Sequence, residues 1–578
     1  MSDHELNSSE KDVSKSMGLE EIHEKNNTVD INELLNENNV SMSLFRNKGG
    51  CMWTSSYEAN APSEDRHASL INMILEGKEE DQIIRMSMWA VLDGHGGGAV
   101  STYASQALLP HIAVNVSRAL QTRIMSKGEF TVDGEVQNVE VLDFEDILRG
   151  RHEKTSMEKY LNKRQRRDDD DDDGDDDCPS DRSKEDVANL VRSLSSDGKY
   201  QSPELLFKMK NFENQDLHRV SDDDSETDND HKLHKKGTSN MGKGTHSKKE
   251  VAAVRQAIHE SFLQLDDSWM NSINPEKRQR CCMPGGQWNV GSCALITCII
   301  QRVDLLDSNT VSRKRKMSSL VESVENIDSI NDYHAHDAML YTAHLGDCRA
   351  VLGRLSSGEQ SYYDSAISDS ETDDSDCSFD EDYCNDFPSK LRSIDLTTDH
   401  NPYNINEVDL VLSRTHDPLA ISCASNGGIK RVAGTLAITR ALGDAYLKTP
   451  MFSFPPYKRH APYITAMPEI SNRILRRNEH GKLCDPLLIL ATDGLWEQAS
   501  GRDIINWLQT YFTNQQYHQH TPSETSSDYI IKCVLHKIMR TRGITSLRSL
   551  MALKKGRARR SKHDDITATV VDLSGFVL

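Results

Sequence analysis

Two stretches set the frame: WAVLDGHGGG at residues 89–98 and LLILATDGLWE at residues 487–497. In each, a short apolar run ends just before an aspartate that is followed by glycine. Runs of the same kind recur as SCALITCII from Ser292, AMLYTAHL from Ala338, AVLG from Ala350 and ITATVVDL from Ile566. Their length, and the Gly, Asp and Ser residues that bound them, predict buried strands. Between them, Val251, Val254, Ile258, Phe262 and Leu265 recur at helical spacing and predict an amphipathic helix ending near Trp269. Ile504, Ile505, Leu508 and Phe512 predict a second helix, and a third spans about Asp528 to Thr541 and stops at Gly543. Strands in bunches separated by helices predict an α+β sandwich.

The acids of this apolar core fall at strand ends. Asp93 follows WAVL, Asp493 follows LLILAT, and Asp564 with Asp565 precedes ITATVV. Asp347 lies in HLGDCRAVLG between two strand-like runs, and Glu64 with Asp65 stands in PSEDRHASL. One such acid is an ordinary turn residue, since Asp-Gly is a common turn signal. Several in one core need partners or a metal, because an uncompensated carboxylate at the end of a buried strand is costly. Carboxylates and backbone carbonyls without His or Cys partners are the ligand set of magnesium or manganese rather than zinc. The glycines after Asp93 permit close backbone approach, which makes the Gly94 carbonyl a further candidate ligand.

Around this core the chain is acidic and long. Its 578 residues carry 68 Lys+Arg against 90 Asp+Glu, a formal net charge of −22, and hydrophobic residues make up 36%. That apolar share is low for a fully packed globule of this length, so part of the chain is expected to be solvated. Residues 1–50 are expected to form a flexible N-terminal extension, and 51–578 a single catalytic domain interrupted at about 127–249, 304–337 and 356–388. The first insertion holds the Asp168–Asp173 block, whose like charges self-repel. Serines set among acids in the first and third insertions suit acidophilic kinases, and the insertions are candidates for recruiting partners. No apolar run approaches the length of a membrane span, which argues against a membrane protein. The excess of acid argues against a nucleic-acid partner. The twelve cysteines lack zinc-type paired spacing. The opening residues resemble neither a secretory nor a transit peptide, so the cytoplasm or nucleus is the expected location and the mitochondrion a less expected one.

The motifs VLDGHGGG from Val91, VGSCALI from Val290, HLGDCRAVLG from His344, LTTDHNP from Leu396, GTLAITRALGD from Gly434, PEI from Pro468, LILATDGLWE from Leu488 and DDITATVV from Asp564 resemble, in order, those of the metal-dependent type 2C Ser/Thr protein phosphatases. SYEANAPSEDR from Ser56 and PPYKRHAPYITAMPEI from Pro455 resemble the pyruvate dehydrogenase phosphatase type within that family. The resemblance implies a four-layer α-β-β-α sandwich with two central antiparallel sheets. It also implies two magnesium or manganese ions held by Asp65, Asp93, Asp493, Asp564 and the Gly94 carbonyl. Glu64 would assist, and Asp347 with Glu497 would serve a weaker third ion. A monomeric hydrolase acting on phosphoprotein substrates is the implied activity, with His95 as the general acid. Many relatives grip the substrate phosphate with an arginine at the position held here by Asn60. Asn60 itself, Arg66 and the basic run from Lys554 to Lys562 are the candidates for that task. A catalytically silent scaffold acting through its acidic insertions is the competing reading, which the intact acids argue against. A nucleotide-handling enzyme would need a phosphate loop of the GxxxxGK[ST] kind, and the sequence has none.

Overall fold

Along the strand Leu487–Ala491, Leu488 and Leu490 face one hydrophobic core while Leu487, Ile489 and Ala491 face another. The same happens in Gln82–His95, where Trp89 and Val91 point one way and Met86, Met88, Ala90 and Leu92 the other. Side chains alternate across a strand, so a strand covered on both faces must be apolar at every position. That is why these segments read as continuous runs.

The structure is a computed structural model. It describes residues 39–43, 51–78, 82–137, 247–273, 287–305, 333–356, 390–423, 428–453, 455, 457–478, 481–517 and 524–577. Six strands form one sheet in the spatial order Asn39–Ser43, Cys51–Tyr57, Ile566–Asp572, Leu487–Ala491, Arg349–Leu355 and Leu391–Asp395. The second sheet runs Glu469–Leu475, Ala338–Leu345, Gly291–Leu305, Gln82–His95, Arg66–Glu76, Glu129–Val132 and Glu135–Val136. Neighbouring strands in both sheets are antiparallel.

The sheets face each other across a core that includes Trp89, Val91, Leu295, Leu340, Leu352, Leu488, Leu490 and Val571. The outer face of the second sheet is covered by helices Ala99–Ala119 and Lys248–Ser272, whose Leu108, Ile112, Ile258, Phe262 and Trp269 pack on Met73, Met86 and Met88. Helices Gly501–Tyr517 and Ser526–Thr541 cover the first sheet through Ile504, Leu508, Ile530, Val534 and Ile538. This is the expected four-layer sandwich.

The boundaries of the expected insertions shift. Glu129–Val132 and Glu135–Val136, placed by sequence inside the 127–249 insertion, pair onto Arg66–Glu76 and onto each other. Tyr333–Ala335, placed in the 304–337 insertion, pairs with Gly291–Leu305, and Asn39–Ser43 of the N-terminal extension pairs with Cys51–Tyr57. The rest of the three insertions, at 138–246, 306–332 and 357–388, lies outside the described residues. Among the described residues, no helix is long and apolar enough to cross a membrane.

Candidate metal centre and active site

The acids of the two sheets meet at one edge because two glycines and a threonine let the backbones close in. A Cβ on Gly94 would fall 2.5 Å from the Glu64 carbonyl oxygen and 2.7 Å from Ser101 Oγ, so only glycine fits between them. Ser101 Oγ donates to that same Glu64 carbonyl at 2.6 Å. Asp493 opens the helical turn Asp493–Trp496 directly after its strand. A Cβ on the next residue, Gly494, would lie 2.0 Å from the Asp565 carbonyl oxygen. Thr492 Oγ1 donates to Asp65 Oδ2 at 2.9 Å and accepts the Thr567 amide at 3.0 Å, which ties the start of one sheet's strand to two strands of the other.

The electrostatics record how closely the carboxylates gather. Burial, then the charges of Asp493 and Asp65, hold the Asp93 carboxyl well above the usual carboxylate range. Asp65 is raised by burial and then by Asp565, and Asp493 by burial and then by Asp347, Asp564 and Glu497. Burial above all pushes Asp347 up to about 6. Glu64, Glu497 and Asp564 are raised too, burial leading in each, and Arg560 opposes the rise in all three. The structure thus gathers Asp65, Asp93, Asp493, Asp564, Glu64, Asp347 and Glu497 into one cluster of mutually repelling acids. Buried like charges of this density call for a cation. Carboxylate and carbonyl oxygens in this number fit magnesium or manganese, so the donor set matches the expected group.

His95 ends the Gln82–His95 strand, and its Nε2 pairs with Asp444 Oδ2 at 2.6 Å. Burial would lower the His95 pKa, but the Asp444 carboxylate outweighs it and the pKa is raised. Asp444 is fully buried, and its backbone sits in the left-handed region at φ 51° with its amide donating to the Val290 carbonyl at 2.8 Å. Gly291 makes the pair possible, since a Cβ there would fall 2.1 Å from Asp444 Oδ2 and 2.4 Å from His95 Nε2. In the sequence Asp444 closes the motif GTLAITRALGD from Gly434, with no role attached to it. Its signal was only its place in that motif.

Two expected phosphate ligands are engaged elsewhere. Asn60 Nδ2 donates to Asp565 Oδ2 at 3.0 Å, and its amide donates to Asp565 Oδ1 at 2.8 Å. Arg66 donates to the Ser63 carbonyl at 2.8 Å and the Asp65 carbonyl at 2.5 Å, and pairs with Asp133 at 3.3 Å. Of the basic run, Arg559 is buried against backbone carbonyls of Glu58, Met551 and Leu553 and lies over the Tyr57 ring. Arg560 is the one that faces the acids, with its Nη1 2.7 Å from Asp564 Oδ1 and its side chain 45% exposed.

The doublet Asp564-Asp565 divides its labour. Asp565 accepts the Ala59 amide at 2.5 Å, the Glu64 amide at 3.0 Å and Ser63 Oγ at 3.2 Å in addition to Asn60, so it is the clamp that shapes the loop carrying Glu64 and Asp65. Asp564 remains the member open to a cation.

A further group brings together His344 of the strand Ala338–Leu345, Glu469 of the paired strand Glu469–Leu475, and His400 from the segment after Leu391–Asp395. The two imidazoles stack at 4.3 Å with 10° between their planes, so their lone pairs run parallel and do not converge on one ion. Burial foremost pushes His344 down to about 4 and lowers His400.

Residues 388–537 match the family model "Protein phosphatase 2C". "Probable protein phosphatase 2C 23" of Arabidopsis thaliana is 28% identical over 250 residues, covering 41% of this chain and 35% of that protein. "Probable protein phosphatase 2C 34" of Oryza sativa subsp. indica is 31% identical over 242 residues, covering 40% of this chain and 51% of that protein. The chain therefore spans about a third to a half of the curated relatives it matches. A solved serine-threonine phosphatase 2C from Toxoplasma gondii is 12% identical with a TM-score of 0.36, over 92% of this chain and 98% of that one, an overlap too low to add weight. The family match, the relatives and the ordered motifs that build its acid cluster make the chain similar to protein phosphatases 2C, with the family model matched over residues 388–537.

Proposed function

We propose that this protein is a metal-dependent Ser/Thr protein phosphatase, hydrolysing phosphoserine and phosphothreonine in protein substrates. The observation that carries the reading is the convergence of Asp65, Asp93, Asp493 and Asp564 from both sheets on one edge, with His95 beside them. When bound there, magnesium or manganese supplies a water of lowered pKa and neutralises charge on the phosphoryl oxygens. Asp93, Asp65, Asp493, Asp564 and the Gly94 carbonyl would hold the two ions, with Asp347 and Glu497 toward a third.

The remaining steps belong to the chain's own groups. Arg560, the partly exposed cation beside Asp564, would offer its planar fork to the substrate phosphate. His95 donates a proton to the departing Ser or Thr oxygen. With Nε2 engaged by Asp444, Nδ1 is the ring atom left to deliver it, and Asp444 keeps the ring charged and oriented.

The test is phosphate release from a phosphothreonine peptide by the purified chain with and without manganese, beside Asp493→Asn. Manganese-dependent turnover that the substitution abolishes is the expected result. Absence of turnover from folded, manganese-loaded protein overturns the reading in favour of a silent scaffold.

A further inference from the structure

The acid cluster is not purely oxygen. Cys293 stands directly opposite Asp93 in the ladder between Gln82–His95 and Gly291–Leu305, so the two side chains leave the sheet on the same face. Its thiol donates to Asp347 Oδ1 at 3.3 Å. One ligand atom each from Asp93, Cys293 and Asp347 lies within 4.8 Å of the other two. The sulfur is held there by the backbone: Gly346 sits at φ 89°, and a Cβ on it would be 2.2 Å from Cys293 Sγ. Cys348, the residue after Asp347, is buried against the same thiol and hydrogen-bonded to it.

We propose that Asp93, Asp347 and Cys293 form a mixed oxygen and sulfur site that takes a thiophilic divalent cation, zinc or cadmium, in competition with the magnesium or manganese of the centre. The proposal rests on the reading of Asp93 and Asp347 as metal ligands. A site meant only for hard cations gains nothing from sulfur, whereas thiolate is the ligand that selects zinc over magnesium. Ligand atoms around one zinc, with bonds near 2.3 Å to sulfur and up to 2.2 Å to oxygen, are at most about 4.5 Å apart, so small side-chain shifts bring all three onto one ion. Binding replaces the thiol proton, which leaves to solvent, and the sulfur stays as thiolate. An ion so held occupies two carboxylates of the centre and inhibits.

The experiment uses the full chain stripped of metal and reloaded with cobalt, whose thiolate complexes show a near-ultraviolet charge-transfer band. Cys281→Ser and Cys282→Ser are introduced first so that this adjacent pair cannot supply sulfur. The band is expected in that background, kept on adding Cys423→Ser at an exposed thiol, and lost on adding Cys293→Ser, with cobalt still bound by dialysis. Zinc affinity should fall at least about tenfold in the Cys293→Ser chain. Should that variant fail to fold, X-ray absorption of the zinc-loaded background chain reads the same point, as a sulfur neighbour at about 2.3 Å. Metal bound with oxygen and nitrogen neighbours alone, or a band indifferent to Cys293, overturns this proposal and leaves the phosphatase reading standing. Failure to bind any divalent ion overturns both.

Discussion

His95 Nε2 and Asp444 Oδ2 are 2.6 Å apart, joined across 349 residues of chain, with the carboxylate fully buried and the imidazole partly open. Such a pair fixes both the orientation and the charge of the ring. His95→Gln should lower kcat for a phosphothreonine peptide by about 100-fold or more, the usual scale of general-acid catalysis. With 4-nitrophenyl phosphate, whose leaving group needs little protonation, the loss should be much smaller. Asp444→Asn should follow the same split at lesser size. Equal losses on both substrates would assign the pair to structure alone.

Arg560 is the exposed cation beside the acids. Arg560→Ala should raise KM for phosphopeptide and weaken inhibition by inorganic phosphate by about 10- to 100-fold, the worth of a charged hydrogen bond of roughly 1.5–3 kcal/mol. Arg560→Lys should recover only part, since ammonium lacks the fork. Steady-state kinetics with phosphate as inhibitor read both effects, and an unchanged inhibition constant would exclude the role.

A cation relieves the repulsion among the acids. Manganese at about 100 times its dissociation constant should stabilise the fold by about 2.7 kcal/mol in denaturant titrations, and Asp493→Asn should erase most of that gain. The reading needs only folded protein, so it separates metal binding from turnover.

Lys448 Nζ donates to both oxygens of Asp266 at 2.7 Å, and Asp266 Oδ1 also accepts the Gly443 amide at 2.7 Å. The pair is buried on both sides. Lys448→Met leaves the buried Asp266 carboxylate without its cation, so unfolding should become about 3–5 kcal/mol easier. Because Gly443 precedes Asp444, the substitution should also loosen His95 and lower kcat.

His344 is buried neutral with a pKa of about 4, below its value in the unfolded chain near 6.5. Between these values the unfolded state binds the extra proton, so stability rises with pH. It is fully present above about 6.5 and drains away as pH falls through about 4. In metal-free protein, the difference in midpoint between wild type and His344→Asn should therefore shrink on acidification across that window.

Much of this was legible because burial on both faces leaves an unmistakable apolar run, as in Leu487–Ala491. The acids were legible because each interrupts such a run. Helix Ala99–Ala119 was not, for it is buried almost all round, with His111 and Asn115 inside and Pro110 in its middle, and so lacks a polar stripe to betray its period. For Asn60 and Arg66 the sequence shows the residue type and not its commitments: both are held by neighbours within 3.3 Å. In sequence Asp565 is indistinguishable from Asp564, and only its five hydrogen bonds from four residues of the loop Ala59–Glu64 show that its work is scaffolding.

The strand Ile566–Asp572 lies between Cys51–Tyr57 and Leu487–Ala491, so one of the earliest strands waits for one of the latest to be synthesised. Until then Cys51–Tyr57 has an open flank, and the Glu64–Asp65 loop lacks its Asp565 clamp. At translation speeds of about 5–20 residues per second that interval lasts roughly half a minute or longer. A nascent chain in that interval cannot complete the acid cluster, so the proposed hydrolysis would be withheld from the ribosome's surroundings, and the half-paired strand is the segment a chaperone would be expected to shield.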